Sequence, residues 1–404
     1  MNVDWLVSDY GQGIVSEAMD YPDSLVAVST LRKKHSDVDR ELISQAVTQA
    51  GLHTTLAKRW GQAVTGLVLT QEGIEQATRP SIAKWRAHWI KERFGAQGRI
   101  LDMTCGLGFD ALAMAQAGLQ VAAIERDSIT AQCARHNLKK YSIEVIEADA
   151  TEVSTAGYDL LFIDPMRRDS KASRAIDGSQ KRIFNPELWS PSWNSISKLA
   201  ENNRVLCKVA PGIDDKYLAD WDTTWLSSQG DVVEAMILSN GVGMRSAVVI
   251  DGTEVWQSSA TTKPSIQDAG AFLLVPDGAI TRSGAISEIC NLVNGGLVNE
   301  HIGWVLSDDW ALVEKLIKQK PKLVDAFQIL NQVKADERTI ESAIKDVPSS
   351  AITIMTRGVQ VDVERVRKRI SPKLDSSAPE LVIGFYRHDG GNRALICRRI
   401  RVNN

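Results

Sequence analysis

Four acidic residues, each closing a short apolar run, are the part of this sequence best suited to chemistry: Asp102, Glu125, Asp149 and Asp164. Asp102 opens the stretch DMTCGLGFD, in which Gly106 and Gly108 bracket one residue before the helix-like ALAMAQAG. Such glycines let the backbone turn tightly and approach a ligand where a Cβ would collide. The helix behind them aims its free N–H groups at the same spot, which suits a ligand carboxylate or phosphate. Gly106-x-Gly108-x-x-Ala111 also satisfies a dinucleotide-binding fingerprint, so the glycines alone leave two ligands open. Asp102 helps to separate them, because a carboxylate in the loop repels a pyrophosphate but can pair with the ammonium of an amino-acid moiety.

Glu125 follows Gly108 by seventeen residues (125 − 108) at the end of QVAAIE, where ribose hydroxyls would lie across the switch point of a parallel sheet. Asp149 and Ala150 end the next run, placed to receive an exocyclic adenine amine and to pack on the ring. Singly, an acid after a strand is most often a helix cap; the register of Asp149 with Asp102 and Glu125 favours the ligand reading. The fourth run ends Ile163-Asp164-Pro165-Met166-Arg167-Arg168. Pro165 pushes Asp164 into an extended conformation, so its carboxylate projects from the strand end and can orient or deprotonate a nucleophile. Arg167 and Arg168 suit bidentate contact with a substrate phosphate, or else pair with Asp127 or Asp169 in an ordinary turn.

The elements that must position these residues alternate. Residues 1–95 carry helical signals: Ser36 and Asp39 resemble a capping box before a helix that Gly51 closes, and a second helix runs from Pro80 to Gly95 with Trp85 and Trp89 as core packing. Residues 96–255 alternate strands and helices, as in a parallel sheet wound with helices. Their last two strands, VVEAMILS and RSAVVIDG, have no long helix between them and read as an antiparallel hairpin closing the sheet edge. Residues 256–321 form a connecting region, polar at first and then mixed helical. Residues 322–404 read as a small α/β domain, with Lys322–Lys334 and Glu337–Lys345 helical in period, a basic helix VDVERVRKRI, and the strands ELVIGFYRHDG and NRALICRRIR.

Composition bounds the class. The chain has 404 residues, 44% hydrophobic and 24% charged, the profile of a soluble globular protein of two or three domains. No apolar run approaches the roughly 18–20 residues needed to cross a bilayer, and no leader-like pattern opens the chain, which points to the cytoplasm without a membrane partner. Five scattered cysteines and six histidines lack ligand spacing, so neither a metal nor a disulfide framework is expected. The net charge is −3, but Arg357–Asn404 holds eleven Lys/Arg against five Asp/Glu, which leaves −9 for the rest. A basic tail on an acidic body points to a polyanionic partner or to a solvated basic face.

Together the strand-end acids and the glycine loop resemble the class I S-adenosylmethionine-dependent methyltransferases. More narrowly, the chain resembles bacterial members that carry a THUMP-like domain at the carboxyl terminus. The match rests on LTQEGIEQATRP (69–80), LDMTCGLGFD, IDPMRRD, VPDGAITRSG (275–284), and TRG followed by VRKRI and YRHDGGNRALICRR. The resemblance implies an α/β, Rossmann-like core with a closing hairpin, a helical amino-terminal lobe and a small α/β carboxyl-terminal domain. It implies S-adenosyl-L-methionine held by Asp102, Thr104, Gly106, Gly108, Glu125, Asp149 and Ala150, a substrate side formed by Asp164, Pro165, Arg167 and Arg168, and an RNA partner, tRNA or rRNA. The expected reaction is methyl transfer to a base nitrogen without a metal. The alternatives are an inactive RNA-binding scaffold, a methyltransferase acting on a protein or small molecule, and a nicotinamide-dependent oxidoreductase, the last disfavoured by Asp102 and the hairpin. Enzymes that methylate exocyclic base amines usually follow the acid with Pro-Pro and an aromatic that stacks on the flipped base. Met166 and Arg167 stand there instead, which leaves Phe184, Trp189 and Trp193 as local candidates for stacking.

Overall fold

The computed structural model describes residues 1–166, 183, 185–260, 262–369 and 373–401. It contains two compact units, Met1–Trp221 with Met236–Val242, and Asp222–Ala235 with Gly243–Asn404. Arg167, Arg168 and Phe184 lie outside the described residues.

The first unit opens on helices α1 (Val3–Leu6), α2 (Asp9–Ala18), α3 (Ser24–Lys34), α4 (Arg40–Trp60), α5 (Gln71–Gln76) and α6 (Pro80–Phe94). Ser8, Asp23, Asp39 and Thr70 begin α2 to α5 by accepting first-turn N–H groups. Asp39, rather than Ser36, is therefore the cap of α4, and that helix does not stop at Gly51. It continues to Trp60 and ends at Gly61 in the left-handed region, φ 67°. Ala50, Leu52, His53 and Leu56 carry its buried stripe past the glycine, which outweighs the roughly 1 kcal/mol a glycine costs inside a helix. Helix α6 has the expected bounds, Pro80 supplying its first turn and Gly95 following its end. Its buried stripe is Ile82, Ala83, Arg86, Ala87 and Ile90, and Trp85 and Trp89 sit half-buried on the flank.

The sheet of this unit follows, alternating with helices: β1 (Arg99–Asp102), α7 (Phe109–Gln116), β2 (Gln120–Glu125), α8 (Ser128–Leu138), β3 (Glu144–Glu147), β4 (Leu160–Ile163), α9 (Trp193–Asn202) and β5 (Val205–Val209). Strands β1 to β5 pair in parallel in the order β3-β2-β1-β4-β5. The wholly buried β4 and β5 are near-continuous apolar runs, as strands covered on both faces must be.

The chain then forms β6 (Asp222–Ser228), β7 (Asp231–Leu238), β8 (Arg245–Asp251) and β9 (Glu254–Ser259). In the first unit the end of β7 lies beside β5; in the second, the order is β7-β6-β8-β9. The expected hairpin between 232–239 and 245–252 is thus corrected. Its true partners are β6 and β7, joined by Gln229 and Gly230 at φ 57° and 83°, the two positive angles that suit a tight hairpin turn. Strand β8 instead runs parallel to β6. The polar letters of DTTWLSS conceal β6 from a hydropathy reading. Its Thr223, Thr224, Ser227 and Ser228 are buried, and Thr224 Oγ1 and Ser246 Oγ, for example, share a 2.8 Å hydrogen bond, which makes such a core position tolerable. Strand β9 replaces the start of the expected polar connection, folding back on β8 after Gly252 at φ 59°.

The rest of the second unit contains β10 (Phe272–Pro276), α10 (Gly278–Ser283), α11 (Ile286–Leu292), β11 (Gly296–Asn299), β12 (Ile302–Ser307), α12 (Trp310–Gln319), β13 (Val324–Lys334), α13 (Glu337–Ile344), β14 (Pro348–Ser349), β15 (Ile352–Arg357), α14 (Val363–Arg369), β16 (Lys373–Leu374), β17 (Leu381–Tyr386) and β18 (Arg393–Arg399). Strands β14 and β16 pair with each other; a seven-stranded sheet runs β11-β12-β10-β13-β18-β17-β15. The segment Lys322–Lys334, helical in period, is therefore the central strand β13. Its register on β18 shifts between Ile329 and Asn331, and the extra residue of a bulge breaks the period-two pattern that would have marked a strand. All five cysteines are buried and free. Among the described residues no helix is long and apolar enough to cross a membrane.

Candidate active site

The crevice of a doubly wound sheet lies beyond the carboxyl ends of its strands, where the strand order reverses. Here that point is β1, flanked by β2 on one side and β4 on the other. The loop after β1 is pinned to both: Met103 N–H donates to Phe162 O and Cys105 N–H to Ile124 O, each at 2.9 Å. Gly106 takes φ 54° and donates its N–H to Glu125 Oε2 at 3.0 Å, while Asp127 N–H reaches Glu125 Oε1 at 2.9 Å. Gly108, at φ 87°, heads α7, and a Cβ there would stand 2.8 Å from Leu138. A Cβ on Gly106 would meet nothing within 4 Å, so the loop faces open space at that residue.

Asp102 is 1% exposed. Its Oδ1 accepts the Thr104 N–H at 3.2 Å, and its buried Oδ2 has no hydrogen-bond partner among the described residues. Burial, reinforced by the negative charge of Asp110, pushes this carboxyl well above the usual carboxylate range. At the end of β4, the Asp164 N–H donates to Thr104 Oγ1 at 2.7 Å. The Asp164 carboxylate accepts from Lys208 Nζ at 2.5 Å; the lysine side chain is 6% exposed and that of Asp164 23%. Lys208 also donates to Thr78 Oγ1 at 2.8 Å, and Thr78 donates to Asp110 Oδ2 at 2.7 Å. Arg86 pairs with Asp110 Oδ1. Burial alone would raise the Asp110 carboxyl, but the charges of Arg86 and Lys208 and the Thr78 bond hold it below its ordinary value.

Asp102, Thr104, Gly106, Glu125 and Asp164 are thus joined, directly or through the loop, at one end of the sheet, with Gly108 opening α7 behind them. Asp149 stands apart from that network. It is exposed, and its Oδ1 accepts from Thr151 Oγ1 at 2.7 Å and from the Thr151 N–H at 2.9 Å, bonds that hold its carboxyl below the usual range. Ala150 beside it is half-buried, and Pro165 is buried. Of the stacking candidates, Trp189 is 5% exposed and donates its ring N–H to Ile183 O at 3.1 Å. Trp193 packs against Tyr217 and Trp221, with centroids 5.1 and 5.5 Å away. Trp189 is thus enclosed, whereas Trp193 remains half-buried.

The sequence reading missed Thr78, Arg86, Asp110 and Lys208. Two left a signal: Arg86 interrupts the apolar stripe of α6, and Lys208 interrupts the apolar run of β5. Charged residues are almost never fully buried unless paired. The amino-terminal helices reach the loop as well. Leu107 belongs to their core cluster, Phe109 meets the Trp60 ring edge-on at 4.9 Å, and Asn137 Nδ2 donates to both Val68 O and Leu107 O.

The donor set suits a cationic amino-acid nucleotide. Arg86 answers Asp110 and Lys208 answers Asp164, while the buried Oδ2 of Asp102 has no hydrogen-bond partner among the described residues and could receive an ammonium. Glu125, at the end of β2, could accept from ribose hydroxyls beside its two backbone N–H bonds, and the open space at Gly106 would admit a ligand. Among the described residues no group of three or more His, Cys, Asp or Glu side chains is disposed to hold a metal ion.

Residues 97–171 match the family described as RNA cap guanine-N2 methyltransferase, and residues 324–399 match the THUMP domain-like family. A relative from Mycobacterium tuberculosis, named an uncharacterized S-adenosylmethionine-dependent methyltransferase, is 26% identical over 352 residues, 84% of this chain and 90% of that protein. Ribosomal RNA small subunit methyltransferase J of Yersinia pestis is 30% identical over 128 residues, 24% of this chain and 50% of that protein. A solved methyltransferase-type structure from Porphyromonas gingivalis W83 superposes with a TM-score of 0.69 at 16% identity, covering 96% of this chain and 98% of that one. Fold and relatives show a class I methyltransferase whose cofactor is S-adenosyl-L-methionine. Within that class, the chain is of the kind that carries a THUMP-like domain at its carboxyl terminus.

Proposed function

We propose that this enzyme methylates a base nitrogen in RNA, tRNA or rRNA. The observation that carries the reading is Asp164 at the end of β4: its backbone N–H is tied by Thr104 to the loop after β1, and its partly exposed carboxylate by Lys208 to β5. When bound, S-adenosylmethionine supplies an electrophilic methyl group. In this reading Asp102, Thr104, Gly106, Gly108 and Glu125 hold it, with Asp149 and Ala150 at its adenine end. Asp164 accepts the hydrogen bond and then the proton of the acceptor nitrogen, Pro165 shapes the strand exit, and Arg167 and Arg168 hold a phosphate.

RNA is favoured by the family match at residues 97–171 and by the named role of the Yersinia relative. It is favoured too by charge in the THUMP-like domain. Arg357 and Arg387 are exposed at neighbouring ends of β15 and β17, the Arg387 N–H donating to Arg357 O at 3.2 Å, and Arg393 of β18 pairs in register with Tyr386 of β17. Such a patch would supply affinity without sequence preference that weakens with salt. The test is transfer of labelled methyl to total RNA from a strain lacking this gene, followed by nucleoside identification. An N-methylated base is expected; RNA left unlabelled overturns the reading.

A further inference from the structure

Lys208 sits where an ammonium is least at ease, in a strand whose every residue is buried. Its carrier strand is otherwise apolar, and a buried ion pair of this kind adds little net stability over well-packed apolar side chains. Its ammonium is nonetheless held by specific partners. Nζ contacts Asp164 Oδ2 at 2.5 Å and Thr78 Oγ1 at 2.8 Å, and Thr78 is fixed in turn by Asp110, which Arg86 holds. The ammonium is interior while Asp164 keeps 23% exposure, so the lysine grips the carboxylate from the protein side.

We propose that Lys208 is a positioning residue for methyl transfer. By occupying Oδ2 it holds the Asp164 carboxylate in one orientation, with Oδ1 left for the N–H of the acceptor, and Thr78 sets the ammonium that does so. This rests on the reading of Asp164 as the group that meets the acceptor. The chain Arg86–Asp110–Thr78–Lys208–Asp164 thereby links α6 and the segment before it to the strand end where the acceptor is received. No step other than hydrogen bonding is assigned to Lys208.

The experiment uses the full chain and the variants Lys208→Met, Lys208→Arg, Thr78→Val, Asp164→Asn and the double variant Lys208→Met/Asp164→Asn. S-adenosylhomocysteine affinity is measured by calorimetry. Turnover is measured on total RNA and, separately, on total protein from a strain lacking the gene. Lys208→Met should lower kcat by about tenfold to hundredfold, the scale of a misplaced catalytic group, with the S-adenosylhomocysteine Kd within about threefold. Lys208→Arg should recover part of the loss. The double variant should be no slower than Asp164→Asn alone, because residues acting through one another are not additive. If Lys208→Met does not fold, Thr78→Val keeps both charges and should still lower kcat without changing cofactor affinity. Undiminished turnover in Lys208→Met, or in Thr78→Val when the former cannot be studied, overturns the proposal, as does a multiplicative loss in the double variant. Full activity in Asp164→Asn overturns the reading of Asp164 first and the proposal with it. Label in protein and not in RNA refutes the RNA acceptor alone, since the same kinetic split then reads Lys208 on that substrate. Label in neither overturns both.

Discussion

Replacing Asp102 by Asn should weaken cofactor binding and flatten the pH dependence of stability in the same variant. The Asp102 carboxyl is raised chiefly by burial, then by the charge of Asp110 and more weakly of Asp164 and Glu125, against one Thr104 N–H bond. A carboxyl whose pKa is higher in the folded than in the unfolded chain binds more protons when folded, across the window between the two values. Its contribution to stability is complete below the unfolded value and is lost as pH rises through the folded one. Each unit of such a shift is about 1.4 kcal/mol, and 1 kcal/mol moves Tm by about 2–4 °C in a domain of 150–250 residues. The amide has the same shape and does not titrate. The Tm of the parent, without ligand, should therefore fall relative to the Asn variant as pH is raised from about 4. Binding moves the other way. The cofactor ammonium loses a charge-assisted partner worth about 1.5–3 kcal/mol, or roughly ten- to 150-fold in Kd. In the parent, affinity should strengthen with pH over the same window, because the ammonium needs the carboxylate. Thermal melting across that window and calorimetry with S-adenosylhomocysteine read both effects. Parallel melting curves together with an unchanged Kd would refute the assignment of the orphaned oxygen to the ligand.

Glu125→Ala should weaken S-adenosylhomocysteine binding about tenfold or more, since it removes the proposed ribose partner and frees the Gly106 N–H; unchanged affinity removes the residue from the pocket. Asp164→Ala should leave that affinity nearly intact while depressing methyl transfer by roughly two orders of magnitude or more, and full turnover would place the acceptor elsewhere. Gly73→Ala would drive a Cβ into Leu107 and to 2.8 Å from Thr70 Oγ1. We expect about 1–3 kcal/mol of destabilisation with weaker cofactor binding. Gly13→Ala, whose Cβ would meet nothing within 4 Å, should be neutral or mildly stabilising by up to about 1 kcal/mol. Equal effects at the two glycines would break the link between the amino-terminal helices and the loop.

Much of the site is legible along the chain because its parts are local. A strand that ends in an acid, two glycines at the next turn and a proline after Asp164 each declare themselves within a few residues, through backbone angles and burial that neighbours alone dictate. The same is true of Asp39 and Pro80 at their helix starts. Where local pattern misled, a longer-range interaction had overridden it. Buried leucines carried α4 past Gly51, hydroxyl pairs let DTTWLSS serve as a core strand, and a bulge gave β13 the period of a helix.

Local pattern along the chain named the fold and the enzyme class: strand-end acids such as Asp102, Glu125 and Asp164 and a glycine turn after the first strand. Which charges answer one another is set by the folded arrangement alone. Lys208 and Thr78 are 130 residues apart, Arg86 and Asp110 are 24, and nothing in the composition of either neighbourhood names its partner. Such pairing follows from the order of strands and the seating of α6 beside α7, because a buried charge must find its counter-charge in space and the chain between them carries no record of the distance.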